Sequence, residues 1–118
     1  MEISSLVGKT LKSVIEDDNE VIFETTTNEV YKLSHHQDCC EDVYIESIVG
    51  DLEDLVGNPI LVAEESSNRD LPPVNDEYEE SYTWTFYKFA TIKGYVDIRW
   101  YGSSNGCYSE SVTFERVK

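Results

Sequence analysis

Glu80-Ser81-Tyr82-Thr83-Trp84-Thr85-Phe86-Tyr87-Lys88-Phe89-Ala90-Thr91 is the stretch whose reading decides the fold. Aromatic and β-branched side chains fill it, and such residues suit a pleated surface. Successive side chains of a strand point to opposite faces. Tyr82, Trp84 and Phe86 therefore share one face, and Thr83, Thr85, Tyr87 and Phe89 the other. Ile92-Lys93-Gly94 reads as a turn. Tyr95 to Tyr101 alternates again, with Val96, Ile98 and Trp100 on one side and Tyr95, Asp97, Arg99 and Tyr101 on the other. Gly102-Ser103-Ser104-Asn105-Gly106 ends in an Asn-Gly pair favoured in hairpins. Tyr108 to Val117 is the last strand, with Val112 and Phe114 inward.

The N-terminal half repeats the theme. After a lead-in at Leu6-Val7-Gly8-Lys9, Thr10–Glu16, Val21–Thr25 and Glu29–His35 read as three strands of an antiparallel meander. Tyr31, Leu33 and His35 fall on one face. Val43–Val49 is a fourth strand. Asp51-Leu52-Glu53-Asp54-Leu55-Val56 begins with an N-cap residue type and stops at Gly57-Asn58-Pro59, which predicts a short helix. Ile60–Ala63 reads as a buried strand continuing into Glu64-Glu65. Ser66 to Glu79 has no period and contains Leu71-Pro72-Pro73, so residues 66–79 are expected to form a mobile loop. The fold class is mainly β: a curled antiparallel sheet, barrel or sandwich of seven to eight strands with one short helix. At 118 residues it is expected to be a single domain over 1–118, long enough to bury a core.

Charge bounds the partners. Twenty-four acids face nine bases, for a net charge of −15. Such a field repels phosphates, so direct nucleic-acid binding is not expected. It attracts basic surfaces, and a protein partner with a basic surface is the expectation. No apolar run has the length of a membrane span, and Met1 to Lys9 has no signal-peptide pattern. Three cysteines, two of them adjacent, make a poor disulfide framework. A cytoplasmic protein with reduced thiols is expected, and its oligomeric state is left open.

Chemistry concentrates in His35-His36-Gln37-Asp38-Cys39-Cys40-Glu41-Asp42. The candidate ligand-binding residues are His35, His36, Asp38, Cys39, Cys40 and Glu41 here, with Arg99, Tyr101 and Asn105 from the C-terminal hairpin. His35 and Cys39 are four apart, as are His36 and Cys40, but zinc templates use spaced pairs, and no second pair exists. No metal and no cofactor is assigned. Cys beside His and Asp is also the residue set of thiol hydrolases, yet there is no nucleophile elbow and no phosphate-cradling loop, and no catalytic residue is assigned. The plain alternative is a structural corner, with His35 hydrogen-bonded and partly buried, the cysteines packed as small apolar residues and Asp38 accepting backbone N–H bonds. Arg99 would hold an anion while tyrosines stack on a ring, or would pair with Glu110 across the hairpin.

Several of these motifs together resemble an uncharacterised family of small bacterial and phage proteins. They are His36-Gln37-Asp38-Cys39-Cys40-Glu41, Gly50-Asp51-Leu52, Glu80 to Tyr87, and Ile98 to Gly106. The resemblance covers the chain from about Gly8 to Val112. It supplies no activity and no catalytic residues. It implies a phage, prophage or mobile-element setting, in which small acidic proteins are often inhibitors or decoys acting on host or defence machinery. The functional expectation is a small acidic, non-enzymatic binding protein, in specific form a phage- or prophage-encoded inhibitor of a host or defence protein (anti-CRISPR-like or a nucleic-acid mimic). The alternative is a small-molecule or metal-binding protein using His35 to Glu41.

Overall fold

In the computed structural model, which describes residues 1–68, 81–106 and 108–118, hydrophobic alternation becomes eight antiparallel strands. They are β1 (Leu11–Asp17), β2 (Glu20–Thr25), β3 (Val30–Ser34), β4 (Asp42–Val49), β5 (Val62–Asn68), β6 (Ser81–Thr91), β7 (Gly94–Ser104) and β8 (Thr113–Arg116). They form two four-stranded sheets of order β1-β2-β3-β8 and β4-β7-β6-β5. Asp18 and Asn19 join β1 to β2 with φ of 48° and 58°. Positive φ at both central residues matches the strand twist, and Asn and Asp tolerate it best after glycine.

The two sheets bury their alternating apolar faces against each other. Val14, Val21, Phe23, Tyr31, Leu33 and Phe114 come from one, and Ala63, Tyr87, Phe89, Val96, Ile98 and Trp100 from the other. Phe23 meets Phe89 across the interface at 5.4 Å between ring centroids. Ile3, Leu6, Leu55 and Ile60 join the same core from the connections.

Three expectations are corrected in detail. The short helix is a single 3-10 turn, Leu52–Leu55, capped by the Asp51 carboxylate accepting from the Glu53 N–H. A second such turn, Ile3–Leu6, occupies the lead-in, where Ile3 and Leu6 are buried. No α-helix is present among the described residues. Strand β5 runs on to Asn68, past the point where the pattern loses its alternation, because it pairs with β6 in unbroken register. The rest of the expected mobile loop, residues 69–80, lies outside the described residues. The sheets do not close into a barrel.

Candidate functional site

The corner between β3 and β4 is built around one carboxylate. Glu41 is buried, at 4% exposure. Its Oε2 accepts from the Asp38 N–H at 2.8 Å and its Oε1 from the Cys39 N–H at 2.9 Å. The His35 ring places Nε2 2.8 Å from Glu41 Oε2 and Nδ1 2.7 Å from the carbonyl oxygen of Ser111. Both ring nitrogens thus face acceptors, so only a ring carrying two N–H groups donates to both. The two backbone N–H groups first, and His35 in addition, hold the Glu41 carboxyl down at about 2, against the opposing effect of burial. The Gln37 side-chain amide closes the loop from outside, donating to the carbonyls of Cys39 (3.2 Å) and Glu41 (2.6 Å).

The opposite wall is the segment before β8. Glu110 is buried at 6% exposure. It accepts from the Thr83 hydroxyl at 2.8 Å and the Ser104 hydroxyl at 2.6 Å. Segment 109–111 is therefore tied to β6 and β7 through Glu110 and to the corner through Ser111 and His35. Gly102 lies beneath it. A Cβ there would come within 2.9 Å of the Glu110 carbonyl oxygen and 3.0 Å of its Cβ.

The residues singled out from the sequence divide into three groups. His35 and Glu41 are brought together. His36, Asp38, Cys39 and Cys40 are exposed on the outside of the loop. His36 Nε2 lies 3.4 Å from a Glu115 carboxylate oxygen, and Asp38 contributes its backbone N–H to Glu41. The acceptor that caps the corner is thus Glu41 in place of Asp38. The sulfurs of Cys39 and Cys40 are joined at 2.16 Å, where composition had suggested free thiols, and neither cysteine is packed inside. Among the described residues no group of three His, Cys, Asp or Glu side chains is placed to hold a metal ion. Cys107 lies outside the described residues.

Arg99 and Tyr101 belong elsewhere. Arg99 sits opposite Ser47, while the corner enters β4 at Asp42 opposite Ser103, about 13 Å further along β7. The Arg99 Nε donates to Glu46 at 2.7 Å, so its acid partner is Glu46 and the expected pairing with Glu110 is not made. Its guanidinium lies 5.4 Å from the Trp84 ring centroid. With Phe86, Lys88, Asp97 and Glu64 it lines a depression of about 430 Å³ on the outer face of the second sheet. Tyr101 is fully buried against Trp84 at 4.7 Å, with no face open for a ligand to stack on. Asn105 is exposed in its turn. That turn is linked to the corner through Ser104, whose Oγ accepts from the Gly106 N–H and donates to Glu110.

Sequence reasoning missed Gln37, Glu110 and Ser111. Gln37 stood inside the quoted motif without metal-binding or nucleophilic chemistry to mark it. Glu110 and Ser111 act through contacts made by folding, which no local pattern encodes. No helix among the described residues is long and apolar enough to cross a membrane. No curated protein and no solved structure matches the chain. Residues 4–114 match the family described as a domain of unknown function, DUF7448, and the chain belongs to that family.

Proposed function

We propose that the chain is a non-enzymatic binding protein that offers an acidic surface to a protein partner with a basic one. The observation that carries this reading is the net charge of −15. Part of that charge is gathered in space. Glu16, Asp17 and Asp18 are exposed at the β1–β2 turn, and Asp42 is exposed on β4. Asn19 of that turn accepts from the Ile45 N–H at 3.0 Å, which brings the turn against β4. A field of one sign raises association rates with oppositely charged surfaces and disfavours phosphate. A groove that ordinarily holds nucleic acid is one such basic surface. With the resemblance to small bacterial and phage proteins, the specific form of the reading is an inhibitor of a host or defence protein.

The alternative ligand or metal reading of His35 to Glu41 has less support. Both Glu41 oxygens and both His35 nitrogens are engaged within the chain. The stretch is better suited to holding the corner than to holding a ligand. The test is retention from host lysate on immobilised full-length protein, at about 0.05 M and again at about 0.5 M salt, where screening is several-fold stronger. The reading expects a basic protein retained at low salt and released at high salt. It fails if nothing is retained at low salt, or if retention is indifferent to salt.

A further inference from the structure

A sheet edge exposes unpaired N–H and C=O groups, and folded proteins usually blunt it. Among the described residues, three of the four edges are blunted. Strand β1 carries a register shift between Leu11 and Ser13, and its Leu11 carbonyl accepts from the Gly57 N–H at 2.9 Å. Strand β4 carries a shift between Ile45 and Ser47, and Asn19 caps its Ile45 N–H. Strand β8 has only four residues.

Strand β5 differs. It pairs with β6 without a bulge from Val62 to Asn68. Glu64, Glu65, Ser66 and Ser67 are consecutive and all exposed. Successive residues of a strand point to opposite faces, so solvent reaches both faces of this segment. The Ile3–Leu6 turn packs against β5. Between the start of this turn and the strand lies a shallow groove of about 380 Å³, lined by Glu2 to Ser4 and Ala63 to Ser67.

We infer that the β5 edge, from Glu64 to Ser67, is a docking strand for an extended basic segment of a partner protein, which adds to the second sheet as a fifth strand. Main-chain hydrogen bonds would supply affinity, and alternate side chains specificity. Charge selects the occupant. Glu64 and Glu65 lie on opposite faces of the strand and Glu2 lines the groove beside them, so a lysine or arginine on either face of the incoming strand meets a carboxylate. A second copy of β5 would bring its own Glu64 and Glu65 to the same edge, and like charges close together on paired strands are destabilising. The inference rests on the acidic-surface reading and gives it a place and a geometry.

The experiment uses the full chain and three peptides of equal charge: a Lys-Thr repeat of about seven residues, the same peptide N-methylated at alternate residues, and a Lys-Gly repeat. Binding is followed by fluorescence anisotropy at low salt, and the contact surface by amide hydrogen exchange. The Lys-Thr peptide should bind and slow exchange in 64–67. N-methylation, which removes donors without removing charge, should weaken it by about tenfold or more, a loss of ~1.4 kcal/mol. The exposed double variant Glu64→Lys, Glu65→Lys should abolish binding while keeping the fold, checked by circular dichroism. Equal binding of plain and N-methylated peptides, or protection away from β5, overturns the edge docking and leaves the acidic-surface reading standing. Failure of all three peptides to bind overturns both. Concentration-dependent self-association with protection of 64–67 overturns the choice of partner.

Discussion

Glu41 and Tyr101 show two ways of burying a polar group. Glu41 keeps its charge because two backbone N–H groups and His35 donate to it, and its carboxyl sits at about 2 against an ordinary 4.5. A carboxylate depressed on folding stabilises the folded state at pH above its unfolded value, and the contribution disappears as pH falls through the folded value. Its share of stability is therefore full above about 4.5 and is lost between about 4.5 and about 2. Urea denaturation midpoints measured from pH 6 to pH 2 should fall in this window. The variant Glu41→Gln should start lower at pH 6 and fall less steeply, by the uptake of about one proton on unfolding. Parallel curves would assign the acid sensitivity to other carboxylates, such as Glu29, which Lys9 also holds below its ordinary range. Tyr101 is the opposite case. Its hydroxyl is buried and makes no hydrogen bond among the described residues. Removing a buried oxygen that lacks a partner relieves a desolvation cost. Tyr101→Phe should leave stability unchanged or raise it by up to about 1 kcal/mol, measured as the urea midpoint at constant slope. A loss above that would reveal a partner for the hydroxyl.

Among the elements, the end of β7 is where the corner and the last strand are locked together. Gly102 pairs with Val43 of β4 and Thr83 of β6 and has the Glu110 backbone above it. Gly102→Ala places a methyl 2.9 Å from the Glu110 carbonyl oxygen and 3.2 Å from Val43 Cγ2. Backbone on one side and a core side chain on the other leave little room to relax. The cost should be about 1–3 kcal/mol, and Thr83→Val, which removes a donor to the buried Glu110, should also lower stability. If Gly102→Ala is neutral, segment 109–111 is not held as tightly as its hydrogen bonds indicate. These dependencies mark the boundary of what the sequence discloses. The alternation sets Thr85, Tyr87 and Phe89 on one face of β6 and Val96, Ile98 and Trp100 on one face of β7, because burial on one face leaves a period of two. It does not name which face is the core, and these are the faces turned to the other sheet. The tail of β5 was not legible, since Glu64 to Ser67 carries no alternation when both faces meet solvent. In the corner, the density of His, Cys and acid residues marked the place and misdirected the chemistry. Whether a carboxylate binds a ligand or its own backbone depends on which N–H groups the chain turns toward it.

For the whole molecule the governing quantity is charge. Twenty-four acids against nine bases make the compact state self-repelling, because folding brings like charges closer. Local pairs oppose this: Lys9 with Glu29 at 2.9 Å, Lys12 with Glu24 at 2.8 Å and Arg99 with Glu46 at 2.7 Å. None of these three is buried, and exposed pairs contribute about 0–1 kcal/mol each. Salt screens both effects, and its sign on stability shows which is larger. The surplus of fifteen acids follows directly from the composition, so general repulsion should outweigh a few surface pairs. Stability measured by urea, which adds no ions of its own, should rise as sodium chloride is increased from about 0.02 M to about 0.3 M, a range over which the Debye length shrinks to below about 10 Å. Potassium fluoride should act in the same direction, since screening depends on ionic strength and not on ion identity. The same salt should weaken any complex with a basic partner. Salt would thus stabilise the free chain while loosening its complex, a divergence not expected of an interface held by apolar contacts. A midpoint that falls with salt would mean that the surface ion pairs dominate and that the excess acids are too widely spread to repel.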